Sequence, residues 1–444
     1  MDRREFIKVG AASAAASIAL GACDNSSNGS PAPQGSSDAQ QGQVARHYEG
    51  VSLLGYGCMR WPTYKAEDGK QKIDQQKVNS LVDYAISHGV NYFDTAPVYL
   101  EGDSERATAE ALSRYPRSSY LLATKLSNFG DWTYESSKEM FRRSLEIFNT
   151  GYVDYYLLHS IGSGADFERR FGSTGIMDFL LKEREQGRIR NLGFSFHGAR
   201  EGFDELMALH SKYHWDFVQI QMNYVDWTHS GKGNASAEFM YGELDSREIP
   251  IIIMEPLRGG RLADLPAALS DVLKAREPKN SLASWAFRFA GSFPRVKCVL
   301  SGMTYMNHLQ DNLSTFLDFK PLTDEEKELL EITAEQMENY PLVRCTGCQY
   351  CMPCPYGINI PAIFKFYNDN VNAGTYVVSK EQKGYAKIRR KYLLEYNKSI
   401  PGVRQADHCI SCGHCVSACP QKIAIPHELR RIDKYIETLK REDF

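Results

Sequence analysis

The chain has 444 residues, enough for a large barrel or for several smaller domains. Its 52 Lys plus Arg against 55 Asp plus Glu leave a net charge of -3, so no chain-wide field draws it to nucleic acid or to an anionic membrane surface. Eight of its 11 cysteines fall in two tight runs, which argues against the spread disulfide framework of a small secreted domain and points to metal ligation.

Residues 1–23 read as a processing segment rather than as fold. Arg3 and Arg4 precede the alanine-rich run AASAAASIALGA, too short and too weakly apolar for a transmembrane helix, and the order is that of a twin-arginine address. The run ends in LGAC, which resembles the lipobox of bacterial lipoproteins and makes Cys23 a candidate lipid anchor, the one expected tie to a membrane. An uncleaved helix with an incidental cysteine is the alternative. Twin-arginine export carries proteins already folded, which suits metal sites filled in the cytoplasm. The expected location is therefore periplasmic or extracytoplasmic and membrane-anchored, with the cytoplasm as the alternative. Residues 24–47, rich in Ser, Gly, Pro, Gln and Asn, form an expected flexible linker.

From residue 51 onward eight short apolar runs recur: LLGYGCM (53–59), NYFDTA (91–96), SYLLATK (119–125), YVDYYLLHS (152–160), IRNLGFSFH (189–197), FVQIQMN (217–223), IPIIIMEP (249–256) and VKCVLSG (296–302). Between them lie segments such as DQQKVNSLVDYAISHG, whose Val78, Leu81, Val82 and Ala85 repeat at helical spacing. Alternating strand and helix predicts parallel pairing, and eight units predict a (β/α)8 TIM barrel over residues 48–320. An open doubly wound sheet is the alternative, weakened because no G-x-G-x-x-G follows the first strand.

The active site of such a barrel lies at the C-terminal ends of its strands. Asp94, Lys125 and His159 close the second, third and fourth runs, and Tyr99 follows Asp94 in the next loop. A phenol is a poor acid unless a cation stabilises its anion. Lys125 offers that charge, Asp94 a carboxylate to hold Lys125, and His159 a group to orient a substrate oxygen. Together they are equipment for protonating a carbonyl oxygen as hydride reaches its carbon.

With FDTAPVY (93–99), ATK (123–125), YYLLH (155–159), GRIRNLGFS (187–195) and QIQMNY (219–224), the chain resembles the aldo-keto reductase family over residues 48–320. The resemblance implies that Asp94, Tyr99, Lys125 and His159 are catalytic and that NAD or NADP binds across the barrel mouth. It also implies that Ser195 and Gln219 meet the nicotinamide amide, although Phe196 replaces the family's usual Asn. Met254 stands where an aromatic normally stacks on the ring, His308 where an Arg is usual, and Asn312 where the adenine is met. The clamp for a 2'-phosphate is thus missing or supplied elsewhere, and the choice of dinucleotide stays open.

Beyond the barrel, residues 321–444 are expected to be helical and to carry the metal. Thr323 and Glu326 have capping-box spacing and open a helix that packs on the barrel. The run C409-x2-C412-x2-C415-x3-C419-P has the bacterial ferredoxin spacing, in which the fourth Cys ligates the other of two [4Fe-4S] clusters. The run C345-x2-C348-x2-C351-x2-C354-P is one residue shorter in its last step. Transposed, one cluster takes Cys345, Cys348, Cys351 and Cys419, and the other Cys409, Cys412, Cys415 and Cys354. Zinc is the competing metal, and a single retained cluster the competing count. Between the runs, YAKIRRKYLLEY reads as a helix with Lys387, Arg389, Arg390 and Lys391 outward, a solvated face or a docking patch for an acidic electron-transfer protein.

The whole pattern resembles the ferredoxin-fused branch of the family. It implies an oxidoreductase passing hydride between a nicotinamide and a small carbonyl or alcohol substrate, with Tyr99 as general acid and two [4Fe-4S] clusters for electron transfer. The alternative is an iron-sulfur electron carrier whose barrel is a scaffold or binding module.

Overall fold

The structure, a computed structural model, describes Tyr48 and residues 50–442. The expected address, Cys23 and the whole of the expected linker lie outside the described residues. Among the described residues ten strands are formed: β1 (Leu54–Gly57), β2 (Thr63–Lys65), β3 (Gln71–Ile73), β4 (Tyr92–Asp94), β5 (Leu121–Leu126), β6 (Val153–Ile161), β7 (Ile189–Phe196), β8 (Phe217–Gln221), β9 (Ile251–Met254) and β10 (Val296–Ser301). Eight of them, β1 and β4 to β10, pair in parallel and close into a barrel, β1 meeting both β4 and β10. All eight expected strands are present, so the closed barrel prevails over the open sheet.

Each barrel strand turns alternate side chains inward. Tyr92, Ala123, Tyr155, Leu157, Phe217, Ile252 and Leu300 fill the barrel interior. The opposite faces pack against the helices, with Phe93, Leu122, Tyr156, Leu192, Phe194 and Val218 in that larger core. The β2–β3 hairpin was not legible in the sequence, since its exposed strands have no apolar face; it flanks the barrel mouth.

The helix Asp324–Met337 opens with the expected capping box, Thr323 accepting from the Glu326 N–H and Glu326 from the Thr323 N–H. Leu322, Leu330, Ala334 and Met337 belong to the barrel's core, so the physical boundary falls after Met337 rather than at residue 320. A second core then forms among the helices Ile360–Asn372, Tyr385–Ser399 and Ile425–Arg441. The last is amphipathic: Ile425, Leu429, Ile432, Ile436 and Leu439 repeat at helical spacing and are buried. Arg389 differs from expectation: it turns inward and donates to the Leu439 and Lys440 carbonyls at the end of that helix. Orphan carbonyls at a helix end draw a cation, which explains the turn. Lys387, Arg390 and Lys391 remain exposed.

The cysteine-bearing unit sits on the barrel mouth. Arg60 donates to the Thr346 carbonyl at 2.6 Å, Arg344 to the His229 carbonyl at 2.9 Å, and Asn234 to the Pro420 carbonyl at 3.1 Å. Gln221 and Gln421 exchange side-chain amide bonds at 2.8 and 3.3 Å.

Candidate functional site

The alternation that fills the barrel also aims the site. Two residues beyond Tyr92, Ala123, Leu157 and Phe217, on the same inward face, come Asp94, Lys125, His159 and Gln219 at the strand tips. Tyr99 arrives from the β4 loop, its N–H bonded to the Ala96 carbonyl. The end of β6 is irregular, with a register shift between Leu158 and Ile161 and Ser160 at φ 54°. Arg170 braces that bend by donating to the His159 and Ser160 carbonyls at 2.7 and 3.1 Å. Asp94, Tyr99, Lys125 and His159 thereby share one cavity of about 700 Å³, which Ser195, Gln219, Met254, His308 and Asn312 also line.

Lys125 is fully buried and donates to Asp94 Oδ1 at 2.5 Å and to the Thr95 carbonyl at 2.7 Å. Its ammonium stands over the Tyr99 ring, 4.8 Å from the centre. Burial pushes the Asp94 carboxyl up, and Lys125 offsets part of that rise. Burial, followed by the Asp94 charge, also holds the Tyr99 phenol well above its ordinary value of 10. The net shift is upward, against the lowering expected from Lys125, because burial and the Asp94 charge dominate. Tyr99 is therefore a protonated donor. His159 meets the Tyr99 ring edge-on at 5.7 Å, and its Nδ1 lies 2.6 Å from Ser127 Oγ. Burial, with Lys125 and Arg170 adding to it, holds this imidazole well below 6.5, so it is neutral.

Along the rest of the cavity Ser195 Oγ accepts the Ser160 N–H at 2.7 Å, and Gln219 Oε1 is buried with no partner. An orphaned acceptor in a cavity wall suits a carboxamide N–H2, so the residues fit a nicotinamide. Phe196 turns away and packs on Phe203, ring centres 5.0 Å apart, and so adds no amide to the cavity. Asn312 donates to Ser301 Oγ at 2.8 Å.

The thiols fall into two sets. Cys345, Cys348 and Cys351 lie within electrostatic reach of one another and of Cys419. Cys415 is similarly close to Cys409, Cys412 and Cys354. This is the crossed grouping that the ferredoxin spacing predicts. Burial without a counter-ion pushes the Cys348 and Cys351 thiols up to about 12. Backbone N–H groups nevertheless point at sulfur, from Gly347 to Cys345 and from Gln421, Lys422 and Ile423 to Cys419. Four thiols with N–H donors suit ligation of an iron-sulfur cluster. Beside Cys345 the half-buried Arg261 has a buried, unpartnered Nη1, a charge suited to an anionic, thiolate-ligated group.

Tyr350 was not among the expected site residues. Lying between Cys348 and Cys351, it enters the barrel cavity with its hydroxyl 3.4 Å from His159 Nε2. No spacing rule carries that signal, since "CQYC" is compatible with any packing of the tyrosine. Cys348 and Pro420 line the cavity beside it. A wider outer chamber of about 1260 Å³ adjoins, reached past Tyr99 and Tyr350 and bordered by Phe129, Asp166, Arg169 and Lys422.

Comparison with known proteins gives two matches to family descriptions: "Aldo/keto reductase family" over residues 53–335 and "4Fe-4S dicluster domain" over residues 344–424. An uncharacterized oxidoreductase of Bacillus subtilis is 25% identical over 316 residues, 64% of this chain and 94% of its own. The L-galactose dehydrogenase of Arabidopsis thaliana is 22% identical over 268 residues, 56% of this chain and 81% of its own. Among solved structures, the holo form of an aldo-keto reductase from Bacillus halodurans superposes with a TM-score of 0.51 at 22% identity, covering 64% of this chain and 92% of its own. An aldo-keto reductase from Klebsiella pneumoniae in complex with NADPH gives 0.52 at 20% identity, covering 66% and 94%. These two likenesses are of fold.

Proposed function

We propose, from the premise that this chain belongs to the aldo/keto reductase family, that it moves hydride between NAD or NADP and a small carbonyl or alcohol substrate in the 700 Å³ cavity. The observation that carries this reading is Lys125, an ammonium buried completely between a carboxylate and a phenol ring. Burying a charge that deeply is costly unless a partner compensates it, and here the compensated charge lies where an acid is needed.

A bound nicotinamide supplies or accepts the hydride, and [4Fe-4S] clusters pass single electrons. The chain's own groups do the rest. Asp94 fixes Lys125, and Lys125 sets a positive charge against the Tyr99 ring. Tyr99 holds the proton at its phenol oxygen and gives it to the carbonyl oxygen. With Ser127 Oγ–H donating to Nδ1, His159 carries its proton on Nε2 and orients that oxygen. Ser195 and Gln219 would hold the carboxamide, Met254 would face the nicotinamide and His308 and Asn312 the adenine, all five lining the cavity. Cys345, Cys348, Cys351 and Cys419 would hold one cluster and Cys354, Cys409, Cys412 and Cys415 a second. They exchange electrons with a protein partner.

Removing one hydroxyl tests this reading. Tyr99→Phe should lower carbonyl turnover by about 10²- to 10⁴-fold, the worth of a general acid, while chemical reduction of the clusters is unchanged. Equal turnover by the variant and the wild type would remove Tyr99 from the mechanism. Anaerobic purification with iron, sulfide and nucleotide quantified together checks the cofactors. We also assign Arg3, Arg4 and Cys23 to twin-arginine export and lipid anchoring, which cell fractionation of a Cys23→Ser variant tests.

A further inference from the structure

The barrel does not close its own catalytic pocket; the iron-sulfur unit does. Tyr350 is carried on the loop between Cys348 and Cys351, and its N–H points at the Cys348 sulfur. Its side chain reaches into the mouth, ring centre 6.5 Å from that of His159 and edge-on to it. The hydroxyl lies 3.4 Å from His159 Nε2 and interacts with the Tyr99 hydroxyl. One oxygen atom thus touches both the proton donor and the orienting imidazole. That is the position a substrate's carbonyl oxygen must take if it is to be oriented by His159 and protonated by Tyr99.

Resting on the reductase reading above, we propose that Tyr350 is a specificity-determining residue of the carbonyl site, whose hydroxyl is displaced by the substrate's oxygen. In the Tyr350-bound state that hydroxyl donates to Tyr99; once it has left, Tyr99 is free to donate, as is His159 in the tautomer with its proton on Nε2, so a ligand that succeeds must bring an acceptor oxygen, a carbonyl or a carboxylate. An ammonium group or a plain hydrocarbon has no acceptor with which to replace the hydroxyl's bonds, and Tyr350 therefore holds the site against it. The displaced ring has room on its far side, because Tyr350 also borders the outer chamber of about 1260 Å³. Cysteines of the first thiol set flank the tyrosine, so its movement is felt at the sulfurs. Occupancy of the carbonyl site and the surroundings of the first cluster are then coupled, with Tyr350 as the moving part.

The test uses the full, cluster-loaded protein prepared without oxygen. With 4-nitrobenzaldehyde and methylglyoxal as probes, Tyr350→Phe should raise kcat/KM about two- to tenfold through a lower KM, the net worth of one hydrogen bond in competition with substrate. Iron and sulfide equal to wild type show that the loop has assembled. In the wild type, benzoate at concentrations that inhibit aldehyde turnover should shift the EPR spectrum of the reduced first cluster. A KM that is unchanged or higher in Tyr350→Phe overturns the proposal, and so does an EPR spectrum indifferent to inhibitory benzoate. Absence of any aldehyde turnover by the wild type with either dinucleotide sinks the reductase reading instead.

Discussion

Gly259 lies against the backbone of the first cysteine run, and Gly259→Ala should separate them. Its backbone is left-handed, φ 71°, and an added Cβ would meet the Thr346 carbonyl oxygen at 2.1 Å, Cα at 2.5 Å and carbonyl carbon at 2.6 Å. These are backbone atoms between Cys345 and Cys348, tied in place by Arg60 at 2.6 Å. Contacts under 3.0 Å are not tolerated, so the loop must retreat by about 1 Å. The left-handed backbone costs an L-residue about 1–2 kcal/mol and the collision about 1–3 kcal/mol more. The neighbouring Gly260, φ 99° with nothing within 4 Å, provides the control, since Gly260→Ala bears the backbone cost alone. Denaturant unfolding followed both by far-UV circular dichroism and by iron-sulfur absorbance reads the two units separately. Gly259→Ala should lose iron at lower denaturant than Gly260→Ala while the barrel transition moves little. Equal iron retention and equal midpoints in the two variants would refute the tight seating of the cysteine loop on the barrel.

Asp94→Ala should destabilise the barrel by about 3–5 kcal/mol in thermal or denaturant unfolding, because it leaves the fully buried Lys125 without its counter-charge. Gln219→Leu should have two opposed effects: weaker dinucleotide binding, about five- to tenfold by fluorescence titration, and a nucleotide-free protein about 1 kcal/mol more stable, since a buried acceptor without a partner is removed. Acid should destabilise the native state through two imidazoles. His159 and His197 have folded-state values below 6.5, so the unfolded chain takes up protons first; their contribution is fully present above about pH 6.5 and is lost as pH falls. For His197, held down to about 4 by burial and then by Lys422, the loss amounts to about 3 kcal/mol between those two values, read from unfolding midpoints across that range. Cys419→Ser should strip the cluster of the first run and Cys354→Ser that of the second, the reverse of their positions in sequence, as iron counts and EPR of each variant will show.

Periodicity and spacing determined much of this protein. Alternating apolar runs demand a parallel sheet covered by helices, because a parallel strand buries both faces and each crossover needs a helix, and the count of eight units favours closure into a barrel. The ends of the apolar runs placed Asp94, Lys125 and His159 at the barrel mouth, whereas Gln219 was reached through the family resemblance, and counting by two explains why all four face inward. The ferredoxin spacing likewise foretold that Cys419 joins Cys345 and Cys354 joins Cys415. Tertiary structure alone decided where the two units meet. Arg60 reaching Thr346, Gln221 pairing with Gln421 and Tyr350 entering the pocket of Tyr99 and His159 each join residues far apart in the chain. No periodicity records such contacts, because they depend on the docking of two finished surfaces. Tertiary structure also set the Tyr99 phenol high: burial and the Asp94 charge raise it more than the hydrogen bond of Tyr350 from the second unit lowers it, and the side chain's own sequence neighbourhood carries no trace of that balance.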